Sequence, residues 1–207
     1  MWLLKDGLYR EQELEKCGVV NFTTTVLYGD MKNEKNRREF LKKYPVIKNV
    51  IYGIQTHSCN IEIVTKKDIG KKFYATDGFI TNRKNLSLAV FTADCLPVFI
   101  YDTVKKVIGL VHAGRLGLKK LILEKAITIF VEKFGSTPAS IFVAIGPHIK
   151  KCCYDVDLDS IAINQIRKSG VKKISNVVVC THDRKFFSYR KNKTDKRMMS
   201  LMMMEGK

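Results

Sequence analysis

The spacing of apolar and polar positions changes several times along the chain, and each change marks an element. Val19 to Thr25 is rich in β-branched residues and predicts a strand, while Asn33 to Lys43 predicts a charged helix halted by Pro45. Val46 to Gln55 and Ile61 to Thr65 read as strands. Leu86 to Phe91 and Pro97 to Tyr101 are short apolar runs of the kind that fill a buried sheet, and Val107 to Val111 returns after a turn. Leu118 to Phe134 is the clearest helix. Its apolar positions Leu118, Leu121, Ile122, Ile129, Phe130 and Phe134 recur at helical spacing, and Gly135 closes it. Ile141 to Ile145 predicts a strand, Asp157 to Lys168 an Asp-capped helix ended by Gly170, and Val171 to Cys180 a further strand. The basic stretch Arg184 to Arg197 predicts irregular chain. The Met-rich end (Met198, Met199, Met202, Met203, Met204) predicts a packing segment or a frayed terminus. With no repeat and no Pro/Gly-rich hinge, this alternation predicts α/β: a single domain over residues 1–207, mixed β-sheets flanked by α-helices.

Composition narrows the class. A chain of 207 residues is long enough for one core that needs no disulfides, and 45% apolar with 28% charged residues excludes a disordered or collagen-like chain. No stretch offers the roughly 20 apolar residues of a membrane span. The segment Met1 to Asp6 is too short and too soon charged for a signal peptide, so the cytoplasm is the expected compartment. The net charge of +17 comes from 28 lysines and 9 arginines, spread along the chain and often paired, as at Lys42-Lys43 and Lys119-Lys120. That pattern fits a solvated surface or an anionic small substrate; without a stacking or groove-reading module it argues against nucleic acid as the partner. The six cysteines form no CxxC, adjacent Cys152 and Cys153 are poorly placed for a mutual disulfide, and reduced thiols are expected.

Candidate chemistry gathers at abrupt strand ends. Gln55-Thr56-His57 ends one apolar run, Val111-His112-Ala113-Gly114 another, and Thr92-Ala93-Asp94-Cys95 forms a polar break between two buried strands. Open α/β sheets place their sites at such ends. Two imidazoles and one thiolate are a legitimate three-ligand set for zinc with a position left open. Spacing alone leaves three readings standing: a metal site, satisfied core or cap residues, or a Cys95-His nucleophile pair. His148 and His182 fall at loop-like positions and read as surface or outer residues. No phosphate-binding or dinucleotide glycine motif occurs.

Several blocks together narrow the choice. Ile54-Gln55-Thr56-His57, Thr76-Asp77-Gly78-Phe79-Ile80-Thr81, Leu88 to Val98 with Thr-Ala-Asp-Cys-Leu-Pro-Val at its end, Val111-His112-Ala113-Gly114, Cys152-Cys153-Tyr154-Asp155-Val156 and Phe187-Ser188-Tyr189-Arg190 resemble, in order, the purine nucleoside phosphorylase family formerly called multicopper polyphenol oxidoreductase or laccase-like, which includes YfiH and YlmD proteins. The resemblance runs from about residue 19 to about residue 199. It implies a YfiH-like fold, a zinc site at His57, Cys95 and His112 with copper as the other candidate ion, and phosphorolysis of adenosine, inosine, guanosine or methylthioadenosine. Adenosine deamination is the further activity it implies, which needs activated water at purine C6 and a carboxylate to carry protons.

Within that frame Asp94, Asp77 and Gln55 are the expected catalytic or ligand-orienting residues, and Arg190, Arg197 and Arg115 the expected phosphate or substrate contacts. Purine nucleoside and inorganic phosphate are the expected partners. Two alternatives use the same residues: an amide hydrolase editing peptidoglycan precursors, and a copper-dependent polyphenol oxidase, for which the chain has few histidines. Three departures from the family pattern stand out. Arg115-Leu116-Gly117 follows Gly114 where Trp-Arg-Gly is usual, Thr25 stands where an Arg is usual, and Ile149-Lys150-Lys151 replaces a proline-glycine pattern. All three spare the ligand residues and alter the surroundings expected to meet substrate.

Overall fold

The structure, a computed structural model, describes residues 1–206. Its first half runs β1 (Trp2–Lys5), β2 (Leu8–Glu11), α1 (Gln12–Lys16), β3 (Val19–Thr24), α2 (Glu34–Lys43), β4 (Val50–Ile51), β5 (Ile61–Ile63), β6 (Gly78–Thr81), β7 (Ser87–Thr92) and β8 (Leu96–Asp102). The second half runs β9 (Val107–Ala113), α3 (Arg115–Lys119), α4 (Ile122–Phe134), β10 (Ile141–Ile145), α5 (Leu158–Lys168), β11 (Lys173–Asn176), α6 (Tyr189–Asn192) and β12 (Met198–Met204). The strands form two six-stranded sheets, ordered β1-β2-β3-β12-β7-β4 and β11-β10-β8-β9-β6-β5. Both are mixed: β4–β7, β5–β6 and β10–β11 pair in parallel, and the remaining pairs are antiparallel.

The two-residue period of a strand sorts side chains onto opposite faces and stacks the layers. Leu88 and Val90 of β7, Phe99 and Tyr101 of β8, Ile108 and Leu110 of β9, and Met202 and Met204 of β12 meet between the sheets. The alternate positions Val98, Ile100, Val107 and Val111 turn the other way, onto Leu118, Ile122, Ala126, Ile127 and Phe130 of α3 and α4 and onto α5. On the far side Phe22, Ala89, Met199, Leu201 and Met203 pack under Phe40 of α2. Helix, sheet, sheet and helix are therefore layered in that order, the expected mixed sheets flanked by helices. Gly109 lets α4 pack closely on β9, since a β-carbon there would fall 2.9 Å from the Phe130 ring.

Four sequence expectations change and one is decided between its alternatives. The Met-rich end is the packing segment and not a frayed terminus: β12 is fully buried between β3 and β7. Each large apolar side chain it buries contributes about 1.5–3 kcal/mol over leaving it in water. Val46 to Gln55 contributes only Val50–Ile51 as strand, because Asn49 turns the chain with φ 54°. Val171 to Cys180 shrinks to β11. Leu118 to Phe134 is two helices, broken where Leu121 adopts the left-handed conformation at φ 58°. Within Arg184 to Arg197 one short helix, α6, forms, capped by the Ser188 hydroxyl accepting from the Lys191 N–H. The N-terminal hairpin turns at Asp6 and Gly7, at φ 51° and 72°, the left-handed pair that an Asp-Gly hairpin turn requires. Among the described residues no helix is long and apolar enough to cross a membrane.

Candidate metal centre and cleft

Three chain segments meet at one edge of the second sheet. β8 and β9 are antiparallel neighbours with Pro97 opposite His112, so Cys95 just before β8 lies beside His112 near the end of β9. β6 flanks β9 with Gly78 opposite Val111, which brings Asp77 alongside, and the His112 N–H donates to the Asp77 carbonyl at 2.7 Å. His57 arrives on a loop, in the left-handed region at φ 59°. That conformation costs a non-glycine residue roughly 1–2 kcal/mol and needs outside support.

Asp77 supplies the support. Its fully buried carboxylate accepts from the backbone N–H groups of Thr56 (3.2 Å), His57 (3.0 Å) and Ser58 (2.8 Å), from the Ser58 hydroxyl (2.6 Å), and from His112 Nδ1 (2.7 Å). One side chain thus shapes the loop that carries His57 and orients the ring of His112, leaving His112 Nε2 free to ligate. Burial opposes its ionisation, yet the hydrogen bonds from His112 and Ser58 outweigh burial and hold the carboxyl well below the usual carboxylate range.

The ligand atoms converge. His57 Nε2 is 3.6 Å from Cys95 Sγ, the two imidazole centroids are 4.8 Å apart, and one ligand atom from each of His57, Cys95 and His112 lies within 4.8 Å of the others. Metal bonds of 2.0–2.3 Å in a tetrahedral site place ligand atoms roughly 3.3–3.8 Å apart, so small rotations unite them on one ion. Gly114 leaves the room: a β-carbon there would fall 2.7 Å from His57 Cδ2 and 2.9 Å from Cys95 Sγ. Burial pushes the Cys95 thiol up, but the charge and hydrogen bond of His112 outweigh it and bring the group down to about 6. Burial likewise pulls His112 down, and the Cys95 thiolate with the Asp77 hydrogen bond lifts it to about 9. The two shifts favour a thiolate beside an imidazolium. A cation taking the place of the imidazolium proton meets one thiolate and two neutral imidazoles, a donor set that suits zinc.

The three residues open onto a cleft of ≈ 830 Å³. Its walls carry Arg115, Arg190 and Arg197 together with Lys32, Arg37 and Lys119; Asp94 is the one carboxylate among its described lining residues. The Arg190 guanidinium sits 4.6 Å over the Tyr154 ring and donates to its hydroxyl at 3.2 Å. Arg37 stacks over Tyr52 at 5.0 Å and Phe91 at 5.5 Å. Arg197 donates to the carbonyls of Thr194 and Lys196, and Arg115 opens α3. Nothing in the sequence distinguished Arg37, Lys32 or Lys119 from a solvated charged helix face. Tyr154 stood inside a quoted motif without a role.

The remaining candidates hold the chain together. Gln55 donates to the Phe91 carbonyl (2.9 Å) and accepts from the Phe91 N–H (2.7 Å), fastening its loop to β7 and leaving little of its amide for a base. Asp94, at φ 89°, accepts from the Thr181 hydroxyl and the Arg190 N–H, both at 2.7 Å, which secures the segment bearing Arg190. Thr25, where a cation was missing, closes on the Gly7 carbonyl at 2.9 Å. His148, expected at the surface or in an outer position, is fully buried. Its Nδ1 donates to the Gly146 carbonyl at 2.7 Å, and its Nε2 lies 2.7 Å from Asp159, off the line of a well-aligned hydrogen bond.

Comparison with known proteins agrees with this architecture. A purine nucleoside phosphorylase of Clostridium acetobutylicum is 33% identical over 192 residues, covering 79% of this chain and 80% of that protein. Purine nucleoside phosphorylase YlmD of Bacillus subtilis is 42% identical over 114 residues, covering 52% of this chain and 41% of that protein. The crystal structure of YfiH from Bacillus licheniformis superposes with a TM-score of 0.91 at 24% identity, covering 99% of each chain, which shows a shared fold. A family model described as multi-copper polyphenol oxidoreductase laccase matches residues 15–162 and 155–205, so the chain belongs to that family, the YfiH- and YlmD-like group of the resemblance.

Proposed function

We propose that the protein is a zinc-dependent purine nucleoside phosphorylase acting on adenosine, inosine, guanosine or methylthioadenosine. The observation that carries this reading is the union, in one ≈ 830 Å³ cleft, of the His57–Cys95–His112 ligand set with a wall of cationic side chains. The volume suits a nucleoside with phosphate beside it. In phosphorolysis a phosphate oxygen bonds to the sugar C1′, the C1′–N9 bond breaks, and its electron pair leaves on the purine, which takes up a proton. Arg115, Arg190 and Arg197 hold the phosphate dianion by charge-assisted hydrogen bonds, and Tyr154 fixes the direction of Arg190. Tyr52, Phe91 and Tyr189 offer the base an apolar wall. His57, Cys95 and His112 would hold the zinc, which when bound supplies Lewis-acid polarisation of a substrate atom.

Deamination fits the same cleft less well. It needs a carboxylate free to carry protons, and both candidates have their oxygens occupied, Asp77 by five donors and Asp94 by Thr181 and Arg190. The oxidase name requires more copper ligands than the chain brings here, since His148 is tied to Gly146 and Asp159. A metal-free thiol hydrolase is the second reading, favoured by the lowered Cys95 beside the raised His112.

Incubation of zinc-loaded protein with adenosine and inosine, with and without phosphate, tests the proposal. Expected is release of free base only with phosphate, together with a sugar 1-phosphate. Base release at equal rates without phosphate overturns it, and a covalent adduct on Cys95 in metal-stripped, active protein favours the hydrolase.

A further inference from the structure

A second group of ligating side chains lies outside the centre just described. Cys152 and Cys153 come from the turn at residues 151–153, and Cys180 from the loop after β11. An isolated parallel bridge between His148 and Cys180 fastens the two segments, supported by the Thr181 N–H donating to the His148 carbonyl at 3.1 Å. One sulfur from each cysteine lies within 4.8 Å of the other two, and Cys152 Sγ and Cys153 Sγ are 3.3 Å apart.

We propose that Cys152, Cys153 and Cys180 form a second metal site, separate from His57–Cys95–His112, which takes Zn²⁺ through three thiolates and leaves its fourth position to water. Zinc–sulfur bonds of about 2.3 Å in tetrahedral geometry set sulfurs roughly 3.7 Å apart, a spacing the trio reaches by small side-chain rotations. A disulfide explains the trio less well. Neighbouring cysteines pair only with strain, and 3.3 Å is far outside the roughly 2.05 Å of a sulfur–sulfur bond. Cys152, burial and Cys180 push the Cys153 thiol up to about 12, so an incoming ion has to displace its proton. The Lys150 N–H donates to Cys180 Sγ at 3.3 Å, the backbone contact that typically steadies a metal-bound sulfur. Binding releases three thiol protons to solvent and leaves a net charge of −1, with Lys151 the cation of the same turn. Lys150 is itself positioned, its Nζ donating to Asp159 at 2.9 Å and to the Val177 carbonyl at 2.7 Å. Cys153 directly precedes Tyr154, the residue that holds Arg190, so an ion here braces the cationic wall of the cleft.

The test begins with the Cys95→Ser protein, reduced and stripped of metal, titrated with Co²⁺ and then Zn²⁺. Expected is one equivalent of Co²⁺ with a strong sulfur-to-cobalt charge-transfer band, displaced by Zn²⁺ and abolished by adding Cys152→Ser or Cys180→Ser. No band and no bound ion, or a band that survives either added substitution, overturns the proposal. Should Cys95→Ser fail to fold, the wild-type chain carries the same test: two equivalents falling to one in Cys152→Ser support the site, and one equivalent in both overturns it. Because the count is made on metal rather than turnover, it stands apart from whether the cleft phosphorolyses nucleosides.

Discussion

The cleft has two sides built on different principles. On the ligand side, His57, Cys95 and His112 are set by strand register and by a single buried carboxylate that five donors engage. On the opposite side, Arg37, Arg190 and Arg197 are held by stacking on aromatic rings and by loop carbonyls. The first arrangement is over-determined, so loss of one member propagates to the others. The second is a sum of separate contacts, where each cation acts nearly alone and substitution is graded. The departures from the family pattern at Thr25 and Arg115-Leu116 fall outside the over-determined side.

Removing a ligand is the strongest challenge to that contrast. Cys95→Ala is expected to abolish metal at the first site and to reduce phosphorolysis by more than about 100-fold, beyond the cost of losing an outer partner. Metal analysis beside initial rates checks it; full activity without metal would break the comparison at its root. Asp77→Asn comes next, with a roughly 10–100-fold loss of zinc affinity by competition with a chelator, because His112 loses its orienting acceptor.

The graded side is probed by smaller changes. Asp159, which accepts from Lys150 and Asn176 and lies against His148, braces the segment beneath Tyr154, and Asp159→Asn is expected to cost about 2 kcal/mol in denaturant unfolding. Burial raises this carboxyl, but His148, Lys150 and Asn176 outweigh it and leave it well below the usual range. A depressed folded value means the stabilisation is complete above the unfolded pKa of about 3.9 and is lost as pH falls below it. Wild type and Asp159→Asn should therefore differ at neutral pH and converge in strong acid. Arg190→Ala should raise the KM for phosphate about tenfold, roughly 1.4 kcal/mol, with kcat changed less, and Arg190→Lys should recover part of it. An equal fall in kcat would move Arg190 to the over-determined side.

Much of this was legible before any coordinates. The apolar runs at Leu86 to Tyr101 and Val107 to Val111 are inner strands because continuous apolar sequence has no other stable place in a chain of this length. His57, Cys95 and His112 stood out as polar interruptions at the ends of apolar runs. Asp6-Gly7 carries the turn chemistry of a hairpin, and β1 and β2 pair across it. β12 was harder, since methionine carries little strand preference and the run is placed by its neighbours β3 and β7 rather than by its own period. The role of Asp77 was hidden for a similar reason: in sequence it is an acidic residue near a motif, and only the fold brings Thr56, His57, Ser58 and His112 around it.

By itself the amino-acid order determined the layer type, most inner strands and the identity of the side chains able to bind metal, because these follow from local periodicity and donor chemistry. Tertiary structure decided which cations face the cleft, that Asp77 and Asp94 serve the chain rather than stand free, and that Cys180 joins Cys152 and Cys153 in one corner. Those outcomes depend on contacts between segments far apart in the chain, where a small shift in register changes every neighbour and no local pattern records the result.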